Sequence, residues 1–227
     1  MNARHPVSEA AMVSAGAGGT AGLEWAGLYA QLSEFFKEPS AGFAEDVATG
    51  RLTAFFKGQL CRLGLDSALA EGLSADGDVL GQLEREYRRL YRGPLPPYVV
   101  PVESVYKNWT ADPACDLPMA REKGHLMGDP AVDMLRRYRA EGIEVPESLS
   151  SMPDHVALLL EYMGHLLSRG DGDACAAFLA SHLDWLGELI RDIRDVGADG
   201  VYRQGATIAG AMVRRHLGEL KAGRAAE

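Results

Sequence analysis

Asp154 and His155 stand side by side at the head of an apolar run, with Glu161 and His165 further along it. A histidine beside a carboxylate is the raw material of general acid–base chemistry, since the imidazole moves a proton near neutral pH. On that reading the chain is a small hydrolase or lyase, with His155 as base and Asp154 or Glu161 as its partner. The same carboxylate can instead receive a cation, a guanidinium above all, through charge-assisted paired bonds. The plainer account is that Asp154 caps a helix and His155 bonds a nearby backbone carbonyl. Glu161 and His165 are four apart and could share a metal ion. A catalytic zinc needs three protein ligands, and no H-E-x-x-H motif or third nearby His or Cys supplies one, so a solvated ion pair is the better account. His125, His182 and His216 each stand alone and read as satisfied surface or core histidines.

Other catalytic patterns are missing. There is no G-x-S-x-G nucleophile elbow, no Walker loop and no G-x-G-x-x-G. Ala17-Gly18-Gly19 has no strand before it to make it a phosphate loop, and Arg214-Arg215 is too small a basic cluster to hold a polyanion.

The elements that position these groups all show helical spacing. Trp25, Leu28, Tyr29, Leu32, Phe35 and Phe36 recur at three and four until Pro39. Phe43 and Val47 mark a short helix, and Leu52 to Leu60 another that closes near Gly64. Leu80, Leu83, Tyr87, Leu90 and Tyr91 build one apolar face, stopped by Gly93 and Pro94. Four prolines between Pro94 and Pro101 then hold the chain extended and remove backbone donors. Pro118 to Met127 is expected to be briefly helical. Asp129 is the expected N-cap of the next helix, with Val132, Leu135 and Tyr138 inward until Gly142. Ile143 to Ser150 is a connector, and Ser151 to Asp154 has a capping-box-like spacing that places Asp154 at a positive helix end. On a wheel of about 100° per residue, Val156, Leu159, Leu160, Met163, Leu166 and Leu167 share a face, with His155 at its border. Two further helices follow, one on Leu183, Leu186, Leu189, Ile190 and Ile193, and one over residues 201–220 with Ile208, Met212 and Leu217 inward. The fold class is all-α, with about eight to ten helices in one domain over residues 23–221. Residues 1–22 read as a disordered lead-in and 222–227 as a tail.

Two segments together resemble a known family. The first is the aromatic-x-x-Leu-aromatic run at Tyr87, Leu90 and Tyr91, followed by Gly93, Pro94 and the Pro-x-x-Ser-Val-Tyr string from Pro101 to Tyr106. The second is Pro153-Asp154-His155 opening a helix that continues as Leu160-Glu161-Tyr162-Met163, with His182-Leu183-x-Trp185 later. In order and spacing this resembles the TorD/DmsD (NarJ-like) family of cytoplasmic chaperones that mature molybdenum-containing redox enzymes, over roughly residues 23–195.

The resemblance implies a TorD-like helical fold and no catalytic role. The partners it implies are a twin-arginine signal peptide and the apo-molybdoenzyme, of the DMSO reductase type, that carries it. It implies a hydrophobic wall of Tyr87, Leu90 and Tyr91, and a stiff rim of Pro101 and Ser104 extended by Tyr106. Asp154 and Glu103 would meet the arginines, and His155 would orient the loop or bond the peptide. The resemblance also allows either a monomer or a domain-swapped homodimer, with the 143–150 connector as hinge. Departures are Tyr87 and Tyr91, where tryptophan or phenylalanine is frequent, and Val102-Glu103, where an aromatic followed by glycine is frequent. A charged Glu103 narrows such a groove or changes its client. A helical assembly subunit that stays with its enzyme is the alternative within the same family of functions.

Composition sets bounds that agree. At 227 residues, 47% hydrophobic and 24% charged, the chain carries enough apolar surface for one sizeable core. A formal charge of −9 argues against nucleic-acid binding and suits a basic peptide. Cys61, Cys115 and Cys175 are odd in number and widely spaced, which fits a reducing cytoplasm better than a disulfide framework. The longest apolar run, Val156 to Leu160, is far short of a membrane span, and the first residues lack a signal-peptide core.

Overall fold

The aromatic period at the start of the chain becomes helix α1 (Thr20–Ser33) in the computed structural model, which describes residues 20–93 and 96–225. Trp25, Leu28, Tyr29 and Leu32 form its buried face, and a 3-10 turn at Glu34–Phe36 adds Phe35 and Phe36 to the core ahead of Pro39. α2 (Ala41–Ala48) is capped by the Ser40 hydroxyl, which accepts from the Phe43 N–H at 3.1 Å. α3 (Arg51–Arg62) follows, and a 3-10 turn at Ser67–Ala70 packs back on it. Asp78 caps α4 (Val79–Tyr91), accepting from the Gly81 N–H at 3.1 Å. A single turn, α5 (Glu103–Tyr106), interrupts the long connection to α6 (Asp129–Glu141). The last four helices are α7 (Val156–Ser168), α8 (Gly172–His182), α9 (Leu186–Asp195) and α10 (Gly200–Ala225). Among the described residues there is no strand, and Val102 and His155 form one isolated antiparallel bridge. The all-α expectation stands.

α7 is the centre. Val156 to Leu160, Tyr162, Met163, Leu166 and Leu167 are all buried, so this helix is apolar around most of its circumference and needs neighbours on several sides. α1 lies along it, and α8 packs against it from another side. α1 passes closely at Gly164, where an added Cβ would meet the Ala26 carbonyl oxygen at 3.4 Å. α10 closes the bundle over α8 and α9, and its Gly205 lies directly on the Phe35 ring.

Several local expectations are corrected. Residues 118–127 hold only a 3-10 turn, Pro118–Arg121. α6 turns its Pro130, Ala131, Met134 and Tyr138 face inward, leaving Val132 38% exposed. Asp129 does not cap α6; its carboxylate accepts from the Thr110 hydroxyl and the Ala111 N–H instead. α8 was not anticipated as a separate helix, although Asp171 caps it through the Ala174 N–H. The lead-in expected over 1–22 lies outside the described residues as far as 19, and Thr20 already belongs to α1. Pro94 is also outside them. At the other end α10 continues past 221, through Ala225. No helix among the described residues is long and apolar enough to cross a membrane.

Candidate functional site

The end of α4 supplies aromatic bulk. Tyr87 and Tyr91 meet edge to face with centroids 5.4 Å apart, and each packs on Tyr202 of α10 at 6.0 Å. Between them Leu90 is fully buried, and its carbonyl accepts from the Val99 N–H at 2.7 Å. That bond pins the proline-rich run to the helix it follows.

The run then lies like a short strand against the head of α7. The Pro101 carbonyl accepts from the Val156 N–H at 2.9 Å, and the Glu103 N–H donates to the Asp154 carbonyl at 3.1 Å. Proline has no donor to leave unpaired, so a stiff segment can be buried here with few bonds. Where the run turns into α5, Ser104 gives both its N–H and its hydroxyl to Asp154 Oδ2, at 2.7 and 2.5 Å. The same hydroxyl oxygen accepts from the Gly128 N–H at 3.1 Å. Asp154 Oδ1 is buried without a hydrogen-bond partner. Burial pushes the Asp154 carboxyl above the usual range, against the opposing pull of the two Ser104 bonds.

This geometry corrects the expected cap. Asp154 is turned away from the α7 terminus, and His155 is the N-cap, its Nδ1 accepting from the Ala157 N–H at 3.2 Å. His155 is 5% exposed rather than at a groove border, and burial, with the nearby Arg92 charge, drives its pKa down to about 4. A ring with one nitrogen engaged as a cap and its charged form this disfavoured is a poor general base, and the hydrolase expectation loses its central residue.

A second set of charges, centred on Glu103 and with partners unforeseen in the sequence, joins the first. Glu103 is fully buried, with His182 Nδ1 2.8 Å from its Oε2 and Lys107 Nζ 2.8 Å from its Oε1. His182 Nε2 reaches Asp133 Oδ2 of α6 at 3.0 Å, and Arg137 Nε meets the same oxygen at 2.6 Å. Lys107 Nζ also lies 2.7 Å from Asp184 Oδ1. Burial raises the Asp133 carboxyl, but Arg137 and His182 outweigh it and hold the group below its ordinary pKa. The His182 ring stacks on Phe178 at 4.8 Å, and its carbonyl accepts from the Trp185 indole N–H at 2.8 Å. Trp185 in turn stacks on Tyr106 at 4.8 Å. His182 is therefore a hub rather than a lone core histidine. The His182-Leu183-x-Trp185 string was the only sequence signal for it.

Tyr87, Leu90, Tyr91, Pro101, Glu103, Ser104, Tyr106, Asp154 and His155 thus fall in one contiguous region, and all nine are buried. The bonding capacity expected of Ser104 for a ligand is taken up inside the protein. Glu161 and His165 do not share a site: Glu161 pairs with Lys37 at 2.5 Å, and His165 lies 3.4 Å from Glu141. Among the described residues no group of three or more His, Cys, Asp or Glu side chains is arranged to hold a metal ion.

The family model described as nitrate reductase delta subunit matches residues 61–191, more than half of the chain. The chain belongs to that family. The resemblance to the TorD/DmsD, NarJ-like group is borne out with it. A similar curated protein is the chaperone protein TorD of Vibrio cholerae serotype O1, 27% identical over 106 residues, covering 41% of this chain and 48% of the relative. The match therefore spans about half the length of that relative. In this nitrate reductase delta subunit family member, every residue of the Asp154 and Glu103 clusters lies inside the matched range.

Proposed function

We propose that this chain is a cytoplasmic maturation chaperone for a molybdenum-containing oxidoreductase of the DMSO reductase type. It binds the client's N-terminal twin-arginine signal peptide or its apo form, keeps the client open to cofactor insertion, and withholds it from export until loading is complete. Family membership and the similarity to TorD support the reading. The observation that carries it is convergence: two carboxylates, Glu103 and Asp154, are joined backbone to backbone beside an aromatic wall of Tyr87, Tyr91 and Tyr106. Carboxylates answer guanidinium groups, and the wall answers a hydrophobic helix-prone run, at about 25 cal/mol per Å² of apolar area removed from water. Both carboxylates are enclosed, so capture in this reading includes a local opening of the Pro101–Tyr106 segment.

Titration of the full chain with a fluorescent twin-arginine signal peptide, with a Lys-Lys version as control, tests the proposal. Saturable binding that prefers the arginines and weakens in Glu103→Gln and Asp154→Asn is the expected result. Binding untouched by both substitutions would place the site elsewhere.

A second reading has one observation in its favour, the word subunit in the family's own description. An assembly subunit that remains with its enzyme would co-purify with it at fixed stoichiometry, whereas a chaperone is recovered free of the loaded client.

A further inference from the structure

Each oxygen of the buried Glu103 carboxylate faces a different side-chain nitrogen. Lys107 Nζ stands 2.8 Å from Oε1 and His182 Nδ1 stands 2.8 Å from Oε2. One nitrogen per carboxylate oxygen is the arrangement a single guanidinium presents in its forked pairing.

The two groups are not held alike. His182 is 5% exposed, stacked on Phe178 and engaged on its far nitrogen by Asp133. Lys107 keeps 26% of its side chain in solvent. Its ammonium has two further partners, Asp184 Oδ1 at 2.7 Å and the Ser181 carbonyl at 2.5 Å. Asp184 is itself half exposed. The approach of Lys107 to Glu103 lacks hydrogen-bond alignment, so Oε1 remains a buried oxygen without a hydrogen bond. The ammonium neutralises Glu103 without satisfying it, and it has somewhere else to go.

We propose that Lys107 masks Glu103 as an internal stand-in for a client arginine, and that capture of the peptide is an exchange of cations at this carboxylate. The inference rests on the peptide-binding reading above and adds the residue that sets its selectivity. A guanidinium arriving along the exposed Lys107 stem takes Oε1, and the ammonium withdraws onto Asp184 and the Ser181 carbonyl. One positive charge replaces another, so Glu103 is at no stage left in the interior without a counter-charge. An incoming lysine gains nothing from the exchange, because an ammonium already occupies the place. An arginine gains an aligned bond that the resident lysine does not make. The mask thereby discriminates arginine from lysine without any pocket shaped for the difference.

The test compares wild type, Lys107→Met and Lys107→Arg in full-length protein, titrated with the Arg-Arg and Lys-Lys peptides. Lys107→Met should bind the Arg-Arg peptide about tenfold more tightly and gain affinity for the Lys-Lys version as well. Lys107→Arg, which seats a guanidinium on Glu103 covalently, should bind the Arg-Arg peptide about tenfold more weakly with its fold intact. A folded Lys107→Met that binds no better than wild type overturns the exchange, and so does Lys107→Arg binding unchanged. In either case arginine-preferring binding by wild type leaves the chaperone reading standing. Binding by Lys107→Met alone supports the mask, and binding by none of the three proteins overturns both. Should Lys107→Met fail to fold, Lys107→Arg decides.

Discussion

Ser104 and Asp154, fifty residues apart, are joined through a single carboxylate oxygen that accepts both the N–H and the hydroxyl of the serine. The hydroxyl is also the acceptor for Gly128 N–H, so one side chain ties α5, the head of α7 and the start of α6. Ser104→Ala should therefore cost about 1–3 kcal/mol, because it leaves a buried N–H and a buried carboxylate each one partner short. Urea unfolding checks this, with the slope expected to stay unchanged and the midpoint to fall.

Acid should unfold the protein through its buried histidines. The pKa values of His155 and His216 are both pushed from 6.5 down to about 4, chiefly by burial. A folded pKa below the unfolded one means that the unfolded chain binds more protons, so stability is full above about pH 6.5 and is lost as pH falls toward 4. Between pH 7 and pH 5 each histidine should remove about 2 kcal/mol. His155→Asn keeps an N-cap acceptor and removes the titration, so its loss over the same interval should be smaller by that amount. Unfolding curves at the two pH values measure it.

Gly205 admits no side chain. A Cβ there would lie 2.1 Å from Phe35 Cδ1, and Phe35 is itself locked against Phe43 and Phe56. Gly205→Ala should destabilise by about 2 kcal/mol or more, despite alanine's better helix propensity. Gly218→Ala, also on α10 and with nothing within 4 Å of its added Cβ, should be neutral or stabilising by comparison. Thermal melts of the two variants separate the packing effect from propensity.

The cysteines should report folding. Cys61 is exposed, whereas Cys175 is buried and its thiol is pushed by burial up to about 11. Native protein should lose Cys61 to a thiol reagent within the mixing time and protect Cys175 until the core opens. Mass spectrometry of the labelled peptides distinguishes the two.

Most of the helices were legible because burial repeats every three or four residues, as in α1 and α4, and because Pro39 stops the chain where the first helical run ends. α8 escaped because Ala174, Cys175, Ala176, Phe178 and Leu179 are too crowded and too small to show one apolar stripe. The start of the α6 face is offset by one position, because Ala131 and Met134, not Val132 and Leu135, reach the core. Pairings could not be read at all. Asp154 in sequence looks like a cap, and nothing local reveals that Ser104 competes for it from fifty residues away. Glu103 and His182 are seventy-nine apart, and only the fold makes them neighbours.

α7 carries the core along its length, and the candidate site lies just ahead of its first residue. The Pro101–Tyr106 segment is bonded to both Asp154 and His155, so any disturbance of this central helix passes directly to the segment lying against its head. On the chaperone reading proposed above, a copy that starts to come apart would let go of what it holds, and a damaged escort would not carry its passenger onward.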